Sequence, residues 1–426
     1  MSLFRSLAII LLFGFTSSAA TAQLNVQGVT IIESPSNYEF VDMGYDVASD
    51  EVGIVGYTVN GTDRTATVFE LNANRDGFTE QTLANLPGAT QNAEVNCISS
   101  DATRIAGASF SSNANGFEGA TWLRSDVNNP SGIGFTQGGA SRSSAIGAWT
   151  DGVVGESGGS FNAVTWNINL GVEALPGTNG ALATAFDVNS NGQIVVGFSA
   201  HELSNGAAYY WDESGIHRLN DNIEGHTINQ SIAKNISPNG DYIGGEILAI
   251  DGQGNFKVFA VVWEGVARTL RILTDSNGDF IQGTVNDVSD LGYVVGSFFD
   301  ASFNSFGFIW NPDFTNGVRL FEDWLEEESP GANFPFDSLN VNSIGSGNGR
   351  LFFTVTGDVG ENALVEMVFD LELGDVNQDG DVNFGDIPAF INVLAAGDFQ
   401  VEADVDKSGA VDFSDIPAFI QVLISQ

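Results

Sequence analysis

The chain has a single cysteine, Cys97, in 426 residues. One thiol excludes an intramolecular disulfide, so stability in an oxidising compartment must come from core burial or bound metal. Basic residues are also scarce: 14 Lys and Arg face 54 Asp and Glu, a formal charge of −40. A chain this acidic repels phosphate backbones, which argues against nucleic acid as a partner. Calcium, basic surfaces and neutral glycans stay open. The three histidines, His201, His217 and His226, show no His-x-x-x-His spacing and no cysteine partner, so the common zinc motifs are missing. They read as solvated loop residues. No stretch beyond the first 22 residues is long and apolar enough to cross a bilayer.

The N-terminus has the make-up of an export signal. Arg5 supplies a positive end, Leu7 to Phe15 form a short apolar run, and Ala20-Thr21-Ala22 is a small-residue cleavage site. Residues 1–22 are therefore expected to be a signal peptide, with a secreted mature chain starting at Gln23.

From Val26 to Leu371 the sequence reads as short strands of Val, Ile, Phe and Thr punctuated by Gly and Asn/Asp turns. The main exception is the short acidic stretch Phe321 to Glu328. A repeat emerges once the turns are aligned. Its first half reads Asp-Val-x-x-Asn/Asp-Gly-x-Ile/Val-Val-Gly, with copies at Asp46 to Gly56, Cys97 to Gly107, Asp187 to Gly197, Asn235 to Gly245 and Asp287 to Gly296. Ser144 to Gly155 is a degenerate copy. Cys97 stands where other copies carry Asp or Asn, and reads as packing filler. The second half ends in one aromatic: Phe69, Trp122, Trp166, Trp211, Trp263 or Trp310. A weaker seventh copy runs from Phe336 to Asp370. The step of about 40 to 50 residues is that of a four-stranded propeller blade, longer than a solenoid rung. The pairs Asn191-Gly192, Asn239-Gly240 and Asp151-Gly152 suit tight hairpins, which need positive φ. Each aromatic is expected to pack between neighbouring blades.

The seventh copy runs out after three strands. The N-terminal strand Val26 to Glu33 has no partner of its own, and is expected to close the ring as the outer strand of the last blade. The prediction is a mainly β, seven-bladed β-propeller over residues 23–372. Asp187-Val-Asn-Ser-Asn-Gly-Gln-Ile-Val-Val-Gly197, followed by Ala207 to Trp211, resembles the HAF-repeat family of secreted proteins, a resemblance that implies a fold but no defined activity.

Residues 373–426 are different. Two copies of one segment, 29 residues apart, begin at Asp375 and Asp404. Oxygen-bearing side chains fall at loop positions 1, 3, 5, 9 and 12, with Gly at 6, as the hard-oxygen shell and sharp turn of a calcium loop require. The expected ligands are Asp375, Asn377, Asp379, the carbonyl of Asp381, Asn383 and Asp386 in loop one. In loop two they are Asp404, Asp406, Ser408, the carbonyl of Ala410, Asp412 and Asp415. Two calcium ions are therefore expected. After each loop an apolar stripe at i, i+3, i+4 and i+7 predicts a helix, at Ile387, Phe390, Ile391 and Leu394, and at Ile416, Phe419, Ile420 and Leu423. Pro388 and Pro417 sit in the first turn, where a missing N–H costs little. Ten carboxylates and one lysine share this tail, so folding is expected to depend on the metal.

The paired Asp-x-Asn/Asp-x-Asp/Ser-Gly loops, with Asp at position 12, resemble a type I dockerin in its tandem, planctomycete-like form. That resemblance implies an EF-hand-like calcium module that docks on a cohesin-type partner, often in polysaccharide-degrading assemblies. Positions 10 and 11 depart from the Ser/Thr pairs common there, reading Phe384-Gly385 and Phe413-Ser414.

Two function classes follow. One is a secreted, non-catalytic binding protein held in an assembly by its tail, with a polysaccharide ligand for the propeller. The alternative is a propeller-fold polysaccharide hydrolase or lyase targeted by the same tail, its paired carboxylates drawn from distant blades. Tyr209, Tyr210 and Trp324 are candidates for stacking on sugar rings, with burial the ordinary fate of each. The run Glu326 to Glu328 reads as a solvated face.

Overall fold

The computed structural model describes residues 26–426 except 90, 113–115, 137–142, 159–161, 178–181, 202–204, 301–303, 331–338, 358–360, 370–373, 375, 377–381, 383, 397–402, 404, 406–412, 414 and 426. The expected signal peptide thus lies outside the described residues.

Seven four-stranded antiparallel sheets form a ring. An N-terminal strand, β1 (Val26–Glu33), precedes the first blade. Blade one is β2 (Tyr38–Asp46), β3 (Glu51–Asn60), β4 (Asp63–Leu71) and β5 (Phe78–Thr82). Blade two is β6 (Glu94–Ile98), β7 (Arg104–Phe110), β8 (Phe117–Leu123) and β9 (Asp126–Gly132). Blade three is β10 (Ser143–Trp149), β11 (Gly152–Ser157), β12 (Asn162–Asn167) and β13 (Gly171–Ala174). Blade four is β14 (Ala183–Val188), β15 (Val195–Ser199), β16 (Ala207–Asp212) and β17 (Gly215–Arg218). Blade five is β18 (Thr227–Ile236), β19 (Tyr242–Ile250), β20 (Phe256–Glu264) and β21 (Thr269–Ile272). Blade six is β22 (Gly283–Val288), β23 (Val294–Phe299), β24 (Ser305–Trp310) and β25 (Arg319–Leu320), followed by the helix α1 (Phe321–Glu328). Blade seven is β26 (Leu339–Gly347), β27 (Arg350–Gly357) and β28 (Asn362–Phe369), completed by β1.

β1 pairs antiparallel with β28, from Val26 opposite Phe369 to Glu33 opposite Ala363. The N-terminal strand is therefore the outer strand of the last blade, and it covers the outer edge that β28 would otherwise leave unpaired. At this seam Asn362 also grips blade one: its Oδ1 accepts the Phe40 N–H at 3.2 Å and its Nδ2 donates to the Tyr38 carbonyl at 2.8 Å. A buried carboxylate, Glu366, is held by Arg75 of blade one and Arg350 of blade seven.

Between each pair of neighbouring blades lies one apolar cluster. The six repeat aromatics, Phe69, Trp122, Trp166, Trp211, Trp263 and Trp310, are all buried in them. Three indoles also donate to the segments joining blades, Trp122 to Ala84 O, Trp211 to Pro176 O and Trp263 to Asn220 O. A large ring with one polar edge suits this place, because its body fills the inter-sheet gap while its N–H satisfies a linker carbonyl. The acidic stretch after blade six is a helix: Phe321, Trp324 and Leu325 are buried in the cluster between blades six and seven, while Glu326 and Glu327 are exposed, as expected of a solvated face.

The innermost strand of every blade carries a β-bulge, at Val41, Asn96, Ile146, Phe186, Lys234, Asn286 and Asn342. The repeat glycine sits opposite the residue before the bulge. A Cβ on Gly56, Gly107, Gly155, Gly197, Gly245 or Gly296 would lie 1.9–2.2 Å from a carbonyl oxygen of that inner strand. The glycine is there because the bulge pushes backbone into the space a side chain needs. This register corrects the repeat alignment. The counterpart of Asp187 in blade one is Asp42, not Asp46, and in blade three it is Gly147, not Ser144. Bulge and glycine stay in register while hairpin length varies, so counting from the turn displaces the alignment. The hairpin glycines Gly192 and Gly240 have φ of +74° and +84°, as expected. Gly152 has no positive φ; it opens β11 against the Trp166 carbonyl and the Trp149 ring.

In the tail, α2 (Asp386–Ala396) and α3 (Asp415–Ser425) follow the two loops. Phe390 and Phe419 stack at 4.1 Å with their rings 8° from parallel, within a core that includes Val376, Ala403 and Val405. The predicted apolar stripe is one residue too wide. Ile391 and Ile420 are 55% and 51% exposed, while Val393 and Val422 pack against the core instead. Successive helical residues are about 100° apart, so centring the face on the stacked Phe pair turns the next residue outward.

Candidate functional site

Among the described residues, the ring axis, a hairpin on blade four and the tail bring together the side chains with the most evident chemistry.

At the axis the residue after each bulge forms one ring: Asp42, Cys97, Gly147, Asp187, Asn235, Asp287 and Ser343. Asp42, Asp187 and Asp287 line a small cavity of about 80 Å³ walled by all seven blades. Each clasps the next blade. Asp42 Oδ2 accepts the Ile98 N–H at 3.0 Å, Asp187 Oδ2 the Ile236 N–H at 2.8 Å, and Asp287 Oδ2 the Ile344 N–H at 2.8 Å. The other oxygen of Asp187 and of Asp287 accepts the following backbone N–H of its own strand. Burial opposes ionisation here, and these bonds only partly offset it. Asp42 is pushed up to about 6 and Asp187 to about 7, and Asp287 lies well above the ordinary carboxylate range, raised by burial and by Asp42. The same burial and the carboxylates of Asp42 and Asp187 push the Cys97 thiol up, away from the thiolate a reactive cysteine needs. Among the described residues no group of three His, Cys, Asp or Glu is disposed to hold a metal ion. The three acids were not singled out in the sequence. Their signal was the repeat Asp itself, hidden in blade one by the misplaced alignment.

On blade four, Asp212, Ser214 and His217 come within hydrogen-bond reach at a hairpin turn. They do not form a catalytic triad. Asp212 and Ser214 both meet the same nitrogen, His217 Nε2, at 3.0 and 2.9 Å, whereas a triad acid must hold the opposite ring nitrogen. His217 lies on β17 rather than in a loop and stacks on Tyr210 at 4.6 Å, while His226 is in the loop before β18, as expected, and meets Phe259 edge-on at 5.2 Å. Tyr209 and Trp324 are each 1% exposed, which removes them as stacking platforms. Gly155-Glu156-Ser157-Gly158-Gly159 spells Gly-x-Ser-x-Gly, but Ser157 ends a β-strand and is buried, with Oγ accepting the Thr136 N–H. A nucleophile elbow needs an exposed serine at a strand-to-helix turn.

In the tail, only the last ligand of each predicted loop falls among the described residues. Asp386 and Asp415 open α2 and α3 and are both 0% exposed. Asp375, Asn377, Asp379, Asp381, Asn383, Asp404, Asp406, Ser408, Ala410 and Asp412 lie outside them. The described parts fit a calcium ion. In sequence every expected ligand position carries an oxygen donor, and among the described residues each closing carboxylate is buried at a helix start, Val376 and Val405 belong to the core and Val382 is buried. Phe384 and Phe413, at loop position 10, are 74% and 78% exposed.

Fold and loops together define a seven-bladed β-propeller with a C-terminal calcium-binding helical module. Residues 373–423 match the family model for the dockerin type I domain, and this C-terminal segment is a type I dockerin domain. Such domains bind calcium and dock on cohesins, and calcium is accordingly the metal of this module. No curated protein matches the sequence. Among solved structures the ring is similar to the β-propeller domain of the Trilobed protease from Pyrococcus furiosus, at 9% identity and a TM-score of 0.46, over 79% of this chain and 96% of that one. It is also similar to a putative TolB from Agrobacterium tumefaciens, at 13% identity and a TM-score of 0.39, over 69% and 97%. A third is the Pyrococcus horikoshii acylaminoacyl peptidase, at 10% identity and a TM-score of 0.42, over 76% and 51%. These likenesses concern the fold alone. No helix among the described residues is long and apolar enough to cross a membrane.

Proposed function

We propose that this is a secreted, non-catalytic binding and assembly protein. Its dockerin domain binds two calcium ions through the twelve loop positions named above and docks on a cohesin-type module. The propeller offers its surface to a polysaccharide in a degrading assembly. The observation that carries the docking reading is the duplicated apolar pair on the dockerin surface. Phe384 and Ile391, and their repeat counterparts Phe413 and Ile420, stand exposed, while Phe390 and Phe419 are buried in the core. Exposed aromatics repeated in this way suit the anchors of a protein interface better than solvated loops. The make-up of residues 1–22 supports export.

The test is binding of the full chain to a panel of recombinant cohesins with calcium and with chelator. The expected result is binding to at least one cohesin, lost on chelation and lost in a Phe384→Asp/Phe413→Asp double variant. Calcium-independent binding, or binding indifferent to both substitutions, would refute it.

The hydrolase or lyase reading has one observation in its favour, the three axial carboxylates with raised pKa values. Two facts oppose it. The cavity they share, about 80 Å³, cannot admit a sugar ring, and their oxygens already accept backbone N–H groups. Release of reducing ends from a neutral polysaccharide, abolished by Asp187→Asn, would reinstate it.

A further inference from the structure

An open bowl of about 650 Å³ lies on the propeller face that carries the blade-to-blade connections. Its wall is one-sided, built from blades five, six, seven and one. Lys234, Asn286 and Asn342 form a contiguous polar arc in the wall, to which blade one adds Val41; outside the wall the same position is Asn96, Ile146 and Phe186 in blades two, three and four. Among the described residues the wall of the bowl is close to neutral in a molecule of charge −40: Glu39 is the one carboxylate there and pairs with Arg64, while Lys234 is matched by Glu246 at 2.8 Å.

Hydrogen-bonding capacity is left over in this arc. Asn286 uses its Nδ2 on the Val341 carbonyl and Ser297 Oγ, and Asn342 uses its Nδ2 on Thr356 Oγ1. Both keep Oδ1 without a partner among the described residues. The Oδ1 of Asn235, in the same wall, is buried and likewise without one. Phe299 adds a ring 45% exposed. Amides and hydroxyls beside one open aromatic face match a ligand whose hydroxyls both donate and accept, and whose ring carbons offer an apolar face. A peptide adding to the inner edge strands β2, β18, β22 and β26, which line the bowl, is the competing ligand, and a decapeptide probe separates the two.

We propose that this bowl is a binding site for a neutral oligosaccharide, with Phe299 as the stacking platform and Asn286 and Asn342 as the hydroxyl readers. The proposal rests on the binding-protein reading above and gives it a place and a ligand class. The test is calorimetric titration of the full chain with cellohexaose, mannohexaose, xylohexaose and, as an anionic probe, hexagalacturonate. At least one neutral hexaose should bind, with hexagalacturonate at least about tenfold weaker because of the acidic field. Phe299→Ala and Asn342→Ala should each weaken binding about tenfold, consistent with loss of a stacked ring or a hydrogen bond, at unchanged melting temperature. If all hexaoses give no heat, the anionic probe binds best, a neutral Ser-Gly decapeptide binds better than any sugar, or neither substitution changes affinity, the proposal is overturned. Cohesin binding on the same preparations reports the docking reading separately, so either can fail without the other.

Discussion

Asp187 offers the sharpest physical test of the ring. It is a carboxylic acid pushed from 3.8 to about 7 by burial at the axis, with Asp42 adding to the rise. In the unfolded chain it ionises near its ordinary value. Between roughly pH 4 and 7 the folded protein therefore holds a proton that the unfolded chain has lost. Its contribution to stability is full below pH 4, falls as pH rises to about 7, and is flat above. A gap of about three pH units at 1.36 kcal/mol each would be about 4 kcal/mol. The cavity beside the group admits water, so a value of about 2–4 kcal/mol is the working expectation. Asp187→Asn removes the titration and keeps the shape; Asn235 already occupies the equivalent place in blade five. Relative to wild type, the variant should gain about 2–4 kcal/mol between pH 4 and pH 8, read by urea denaturation. Acidification also relieves general repulsion in a chain of charge −40, so Asp63→Asn, an exposed substitution of equal charge, is the control. The neighbouring titratable groups, Asp42, Asp287 and Cys97, stay in both proteins. If the two variants show the same pH profile, burial of Asp187 has no consequence for stability and the reasoning fails.

Glu366→Ala removes the carboxylate that joins Arg75 and Arg350 across the closing seam. Because both arginines are about a quarter exposed and retain Asp50, the expected loss is about 2–3 kcal/mol rather than the larger cost of a fully buried pair, measured by chemical unfolding. Gly197→Ala places a Cβ 2.1 Å from the Thr184 carbonyl, which is backbone and cannot swing aside, so about 3 kcal/mol should be lost. Gly252→Ala, with open space around it, should cost under about 0.5 kcal/mol in the same assay. In the dockerin domain, Asp415→Ala should weaken one calcium site by about tenfold or more in a calcium titration and leave the other measurable. Chelation of the wild type should lower helical ellipticity, since two 11-residue helices are too short to persist without their packed core.

The sequence by itself determined the features that depend on local chemistry and on counting. Blade number follows from the repeat. The place of β1 follows from a seventh copy one strand short, because an unpaired edge must be satisfied. The calcium loops follow from spacing alone, since a metal shell is built within twelve residues. What tertiary structure decided is whatever depends on register or rotation between distant segments. The bulge, not the turn, aligns the blades, and so Asp42 rather than Asp46 joins Asp187 and Asp287 at the axis. Stacking of Phe390 on Phe419 sets the rotation of the dockerin helices and turns Ile391 and Ile420 outward, which an i, i+4 pattern cannot distinguish from burial. The bowl is assembled from blades five, six, seven and one, residues as far apart as Glu39 and Thr356. Its polar arc exists only because successive blades pack with their inner strands side by side, an adjacency that no local spacing encodes.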